Sequence, residues 1–248
     1  MGRSIHVPLA LPDQAGGAAL ELLPQKAAVL HAADGRRVLL VADLHLGKTA
    51  AFAAGGVPLR AGLAGQIARA DLQTLASLLV NTRCVEMVVL GDLLHARTAR
   101  DPGVLEALNA WRWSPSVAGV SMVLVRGNHD HGAGDPPEEV GFRCVDAPWE
   151  IAPGMLGVHE PCEIEGALVV GGHLHPGVVL TGAGSRERAP CFIVGERLVV
   201  LPAFGRFTGS TCTSAWPDAR RFACGPESVV EIPQAMTAAR GVGHRRGR

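Results

Sequence analysis

Five short polar motifs, each placed directly after a run of apolar residues, constrain this chain more than anything else in it. They are Asp43-Leu44-His45, Gly91-Asp92-Leu93-Leu94-His95, Gly127-Asn128-His129-Asp130, His159 and Gly172-His173-Leu174-His175. Six of the ten histidines fall inside them, and no packing requirement gathers imidazole in that way. The fold must therefore bring several strand ends together, as open α/β sheets do at the carboxyl ends of their strands. A pair of divalent ions accounts for the residue types, because each ion needs several oxygen and nitrogen ligands and two neighbouring ions share a carboxylate. Such sites activate water and stabilise the charge that develops during in-line displacement at phosphorus. The chain is expected to be a metal-dependent phosphoesterase.

The apolar pattern supports the layout. Strands are expected at Ala27–His31 and Arg37–Val41 around an Asp34-Gly35 turn, a strong hairpin dipeptide. A helix is expected over 61–80, where Ala68, Leu72, Leu75 and Leu79 form one apolar stripe. A strand over 85–90, a helix over 103–112 and a strand at Ser121–Val125 follow. The Gly and Pro content of 131–137 reads as a loop. Further strands are expected over 155–159, 167–171, 191–194 and 198–201. A polar hairpin-like loop is expected over 182–189 and a tight turn at Gly195-Glu196. Strand, polar motif and helix recur three times, which is an α/β layout, and the strand-rich second half implies a second sheet packed on the first.

The motifs differ in what they offer. Asp43 and His45 are alternate residues just past a strand and can point the same way toward one ion. Asp92 follows a glycine that lets the backbone come close. Asn128 offers a neutral oxygen ligand, His129 can reach a leaving group, and Asp130 is suited to orient a neighbouring imidazole. His173 and His175 lie on one side of an extended segment. His95 has two readings: a histidine that orients a metal ligand through a hydrogen bond, or one that contacts the displaced nucleotide with help from Arg97 or Arg100. Carboxylate, amide and imidazole donors without thiolate favour Mn²⁺, with Fe and Zn as alternatives.

Composition narrows the rest. The 248 residues suit a single domain over 1–248, with the basic end of the chain, about 236–248, expected as a flexible tail. Lys+Arg and Asp+Glu are equal at 23 each, so any nucleic-acid binding must come from local charge or from the metals. None of the six cysteines forms a CxxC pair, which argues against structural zinc and for reduced thiols in a cytoplasmic protein. No apolar run is long and unbroken enough for a membrane span, and the N-terminal stretch is interrupted by Pro8 and Pro12, unlike a signal peptide.

Taken in order, the motifs resemble those of the calcineurin-like metallophosphoesterases: DxH, GDxxH or GDxxD, GNH[DE], a lone His and GHxH. The resemblance spans roughly residues 38–205. It implies a four-layer α/β/β/α sandwich, with Asp43, His45, Asp92 and His175 on one metal and Asp92, Asn128, His159 and His173 on the other. Asp92 would bridge, and His129 would serve the leaving oxygen. DLHLGK and GDLLH are most similar to SbcD-type recombination nucleases. LPAFGRFTG at 201–209, preceded by Pro190-Cys191-Phe192, is more similar still to the PdeM group of bacterial ligase-associated DNA damage response endonucleases. That resemblance implies manganese, a single-stranded or structured DNA substrate, a role in repair, and a functional link to an Lhr-type helicase and an ATP-dependent DNA ligase. The chain departs from the SbcD-type nucleases in having no residues for their DNA-capping region.

Three functions compete on these residues. The expected one is a phosphodiesterase or endonuclease acting on DNA, supported by His95 and the LPAFGRFTG segment. A phosphodiesterase or phosphatase for a small nucleotide or nucleotide-sugar would use the same metals. A non-catalytic scaffold would have lost ligands, and here every ligand position is filled.

Overall fold

The computed structural model describes residues 2–9, 18–97, 100–182 and 185–234. The basic tail expected over 236–248 lies outside them. Two sheets form the centre. The first runs in chain order: β1 (Ile5–Pro8), β2 (Ala19–Leu23), β3 (Ala27–His31), β4 (Arg37–Val41), β5 (Glu86–Leu90), β6 (Ser121–Val125) and β7 (Arg143–Val145). Pairing is antiparallel from β1 to β4 and parallel from β4 to β7.

The second sheet uses β8 (Trp149–Ala152), β9 (Met155–Gly157), β10 (Leu168–Gly171), β11 (Gly177–Gly182), β12 (Ser185–Val194), β13 (Leu198–Val200), β14 (Arg220–Cys224) and β15 (Val229–Ile232). Its order is β15-β14-β12-β13-β10-β9-β8, with β11 paired to β12 alone. Strands β9, β10 and β13 are mutually parallel.

Alternation along the strands separates the two cores. Leu39, Val41, Met87 and Val89 face the helices, while Leu40, Val88, Leu90, Val123 and Val125 face the second sheet and meet Leu168, Val170, Phe192, Val199 and Phe222. Helix α2 (Leu63–Thr82) lays the expected stripe of Ala68, Leu72, Leu75 and Leu79 onto the first sheet, beside α3 (Pro102–Arg112). Helix α3 begins where Pro102 occupies its first turn and Asp101 accepts the N–H groups of Gly103 and Val104 at 3.0 and 3.2 Å. Among the described residues, the outer face of the second sheet is packed by loops carrying Ile164, Leu174 and Trp216, and no helix is long and apolar enough to cross a membrane.

Three stretches differ from the pattern expected of the sequence. Of the loop expected over 131–137, the first three residues belong instead to α4 (Asn128–Ala133), which forms despite Gly132 because the Asp130 carboxylate accepts the Gly127 N–H at 2.9 Å and closes the first turn. The polar stretch over 182–189 is chiefly the return strand of a β11–β12 hairpin. Its Arg186, Glu187 and Arg188 are exposed, so the strand has no apolar alternation to read. A short helix α1 (Lys48–Ala54) follows the first motif, with Gly47 at φ 79° as its N-cap, and β1, β2, β7, β8, β11, β14 and β15 were not anticipated.

Parallel strands set the geometry of function here. The carboxyl ends of β4, β5 and β6 in one sheet, and of β9 and β10 in the other, open into the five motifs at one end of the sandwich.

Candidate metal centre

The loops after β4 and β5 do not leave the sheet freely. The Asp43 N–H reaches the Gly91 carbonyl at 3.1 Å, His45 N–H the Asp92 carbonyl at 2.9 Å, and Leu46 N–H the Leu93 carbonyl at 2.9 Å. Strand pairing thus continues past the strand ends in a twisted backbone. Asp43, His45, Asp92, His173 and His175 all have φ between 45° and 66°, a left-handed region costing a non-glycine residue on the order of 1–2 kcal/mol. Five of the eight non-glycine residues at positive φ among the described residues are these. Such strain persists only where the surroundings enforce it, and it gathers at functional sites.

Glycines permit the close approach of the motifs. A Cβ at Gly172 would stand 2.5 Å from Ala42 Cβ and 2.6 Å from Asp43 Oδ2. One at Gly127 would run into the Asp92 carboxylate and the His159 ring.

The side chains converge in two groups. In the first, His175 Nε2 lies 3.2 Å from Asp43 Oδ1 and 3.3 Å from His45 Nε2, which is 3.6 Å from Asp92 Oδ2. In the second, His159 Nε2 lies 2.9 Å from Asn128 Oδ1, 3.0 Å from His173 Nδ1 and 3.5 Å from the same Asp92 Oδ2. Donor atoms bound about 2.1 Å from one ion, at angles of about 90–105°, stand roughly 3.0–3.3 Å apart. The contacts of His175 with Asp43 and His45, and of His159 with Asn128 and His173, are close to that spacing at 2.9–3.3 Å, while the oxygen the two groups share, Asp92 Oδ2, stands slightly farther off at 3.5–3.6 Å.

Two further observations fit divalent ions. Asp43 Oδ2 accepts the His173 N–H at 2.8 Å, but Asp43 Oδ1 is buried with no hydrogen-bond partner. A buried, unpartnered carboxylate oxygen costs about 2 kcal/mol or more unless a cation meets it. Burial, reinforced by His175, His129, Lys48 and His95, holds the His45 imidazole down to about 2, so it is neutral and offers its lone pair. Burial pushes the Asp92 carboxyl up, the response of a buried anion without a cation beside it.

Around these donors stand groups that aim them. His159 Nδ1 donates to the Leu90 carbonyl at 3.0 Å, leaving Nε2 for the site. His173 Nε2 lies 3.7 Å from Glu160, a residue with no motif to mark it.

Asp130, expected to orient an imidazole, acts on backbone instead. Its carboxylate accepts the N–H groups of Asp92 at 2.7 Å, Leu93 at 3.0 Å and Gly127 at 2.9 Å. The residue fixes the Gly91–Leu94 turn and is a positioning residue. The reason is its place in the first turn of α4, which aims it at the neighbouring loop.

His95 also stands behind the donors. Its Nδ1 is 3.2 Å from His45 Nδ1, and its ring stacks on His129 with centroids 4.7 Å apart. If His45 Nε2 presents a lone pair, His45 Nδ1 carries the proton and donates it to His95. The geometry therefore favours orientation of a ligand over contact with a nucleotide. Arg97 and Arg100 are turned away as well, bonding to the carbonyls of Gly132, Ala133 and Asp135. His95→Ala is expected to lower hydrolysis of DNA and of a small chromogenic diester alike, and to weaken metal retention by about 10–100-fold. Kinetics on both substrates beside metal analysis will decide it; loss confined to DNA would restore the nucleotide contact.

His129 belongs to neither group. Its Nδ1 donates to the His95 carbonyl, and its Nε2 faces the cleft 3.9 Å from Asp92 Oδ2. The LPAFGRFTG segment backs the first motif. Phe204 N–H bonds to the Ala42 carbonyl at 2.9 Å and Gly205 N–H to the Asp43 carbonyl at 3.2 Å. Arg206 Nε pairs with buried Asp71 of α2 at 2.8 Å, and Lys26 Nζ donates to the Phe204 carbonyl. These contacts explain the segment as a brace for Asp43, a role its sequence did not disclose.

Comparison with known proteins agrees with this centre. The calcineurin-like phosphoesterase family profile matches residues 36–160, a stretch that includes the first four motifs; His173 and His175 lie beyond it and join the site through the second sheet. The chain belongs to that family and is a hydrolase of the metallophosphoesterase class; the family uses a dinuclear divalent-metal site, and the clusters of His and Asp donors fit one. A crystal structure of the Pseudomonas putida nuclease MPE is similar at 37% identity and TM-score 0.72, covering 92% of this chain and 100% of that one. A structure of Yfce, a phosphoesterase from E. coli, is similar at 14% identity and TM-score 0.37, covering 79% of this chain and 97% of that one. No curated protein matches the chain.

Proposed function

We propose that this chain is a nuclease that hydrolyses phosphodiester bonds of single-stranded or structured DNA in repair, with Mn²⁺ as its metal. The observation that carries the reading is the similarity to the Pseudomonas putida nuclease, which extends over nearly the whole of both chains. In this reading Asp43, His45, Asp92 and His175 hold one ion, and Asp92, Asn128, His159 and His173 hold the other. When bound, the pair supplies an activated water and charge stabilisation at the phosphoryl group. The chain does the rest. Asp130 and the strained turns hold the donors in place, His95 and the Leu90 carbonyl fix the tautomers of His45 and His159, and His129 Nε2 serves the leaving oxygen. A functional link to an Lhr-type helicase and an ATP-dependent DNA ligase belongs to the same proposal.

The rim supports a polymeric substrate over a small one. His129 and His173 each keep 35% of their side-chain surface exposed, so the cleft is open to a passing strand. Lys48 and Phe207 line the same hollow beside His45, and Phe207 is 53% exposed. A cation beside His45 and an exposed ring for an unpaired base are features a single strand can use; stacking contributes about 1–3 kcal/mol per base.

The test is hydrolysis of circular single-stranded DNA with Mn²⁺, compared with bis- and mono-nitrophenyl phosphates. Cleavage of the circle is expected, and Phe207→Ala should raise KM for DNA by about tenfold while leaving the small diester unchanged. Hydrolysis of the small esters with an intact circle would replace this reading by a small-molecule phosphoesterase.

A further inference from the structure

On the outer face of the first sheet, away from the cleft, three neighbouring strands bring two imidazoles and a carboxylate together. His6 of β1 is directly opposite Glu21 of β2. His31 of β3 pairs with Ala19, which places it diagonally beside Glu21. Val7, Leu20, Leu22 and Leu30 point into the core between the sheets, so His6, Glu21 and His31 share the opposite face by the alternation of the pleat. Cross-strand and diagonal neighbours on one face are within reach of long side chains.

The distances are those of converging donors. His31 Nε2 is 3.1 Å from Glu21 Oε2, His6 Nε2 is 4.0 Å from Glu21 Oε1, and the two ring centroids are 5.6 Å apart. One donor atom from each residue lies within 4.8 Å of the other two. Ser4 Oγ donates to Glu21 Oε1 at 2.6 Å and steadies the carboxylate.

We propose that His6, Glu21 and His31 form a separate site for a borderline divalent ion such as Zn²⁺, Co²⁺ or Ni²⁺, and that the ion staples β1 to β2 and β3. The donor set is the first argument. Two neutral imidazoles and one carboxylate suit these ions and do not suit Mg²⁺ or Ca²⁺, which prefer oxygen. The second is that hydrogen bonding alone leaves His6 unexplained. His31 already satisfies Glu21 Oε2 and Ser4 satisfies Oε1, while His6 stands beyond hydrogen-bond reach with 61% of its side chain exposed. An exposed ion pair there would add little. Its ring needs only a small swing to complete a three-donor set.

The place gives such a site a purpose. Strand β1 has four residues and, among the described residues, stands at the edge of the first sheet with β2 as its one strand partner, while Arg3 just before it bridges to Ser228. Terminal edge strands open at low free-energy cost. An ion that binds only when β1 is docked adds its binding free energy to that docking.

The experiment uses the full chain and Zn²⁺ alone. Protein is equilibrated with Zn²⁺, dialysed, and analysed for metal per chain, beside His6→Ala and His31→Gln. Each variant is expected to hold one ion fewer than wild type, whatever the cleft holds. Hydrogen exchange of residues 2–8 should slow on Zn²⁺ addition in wild type and stay unchanged in His6→Ala. His6 is exposed at a sheet edge, so its removal leaves the fold intact and the comparison usable. Equal metal content in wild type and His6→Ala, or β1 exchange that ignores Zn²⁺, would overturn the proposal. Neither readout depends on hydrolysis, so the outcome is independent of the reading of the cleft.

Discussion

Asp92→Asn is expected to abolish hydrolysis, with turnover down by about three orders of magnitude, or about 4 kcal/mol in the barrier. Only one oxygen of Asp92 faces both donor groups. Oδ2 stands 3.6 Å from His45 Nε2 and 3.5 Å from His159 Nε2, while Oδ1 accepts the His129 N–H at 2.9 Å. An asparagine that keeps the bond to His129 must turn its amide NH₂ toward the two imidazole lone pairs. That would place donors where both candidate ions need an anionic ligand, so both metal positions should weaken together.

The fold should not suffer. Burial pushes the Asp92 carboxyl up, so in the metal-free protein charge on this side chain costs stability, and its contribution falls as pH rises through the folded value. Asparagine removes that charge. Urea denaturation of metal-free samples at neutral pH should find the variant at least as stable as wild type, and the stabilisation that Mn²⁺ gives wild type should be largely absent. Turnover above a tenth of wild type would sink the shared-ligand assignment.

What the sequence disclosed was the chemistry more than the construction. The motifs end apolar strands, and backbone pairing between Asp43 and Gly91 carries that order into the loops. Reading donors by type and position picked out side chains that the fold gathers at one end of the sandwich: Asp43, His45, Asp92, Asn128, His159, His173 and His175. Roles that depend on direction did not show. Asp130 and His95 sit one and three residues from stronger motif members, but nothing in their spacing says that one faces backbone amides and the other faces His45 Nδ1. The left-handed turns at Asp43, His45, Asp92, His173 and His175 are equally silent, because non-glycine residues adopt them only under tertiary constraint.

Short, polar or edge elements were hidden for a related reason. Strand β1 and the first half of β12 bury little, so no alternation marks them. Glu160 carries no motif at all, and Lys48 and Phe207, although they lie within DLHLGK and LPAFGRFTG, are made relevant by positions near His173 and His45 that only the fold supplies.

His129→Ala should separate catalysis from metal binding. The ring stands in neither donor group: Nδ1 is tied to the His95 carbonyl and Nε2 opens onto the cleft, 3.9 Å from Asp92 Oδ2. With Nδ1–H committed to a carbonyl acceptor, Nε2 is the free ring nitrogen: the imidazolium form carries its second proton there and can give it to the leaving oxygen, and the tether holds the ring at a fixed angle. Loss of a positioned acid lowers turnover by about 100-fold or more. Metal content should stay at the wild-type level, because no donor has been removed. The deficit must also depend on the leaving group. A sugar alkoxide leaving DNA needs a proton as its bond to phosphorus breaks, whereas nitrophenolate is stable enough to leave without one. His129→Ala should therefore depress DNA cleavage much more than hydrolysis of the nitrophenyl diester. Equal losses on both substrates with metal retained would make the ring a stabiliser of phosphoryl charge. Loss of metal with loss of activity would make it a ligand, and the division of the cleft into two groups of four donors would have to be redrawn around it.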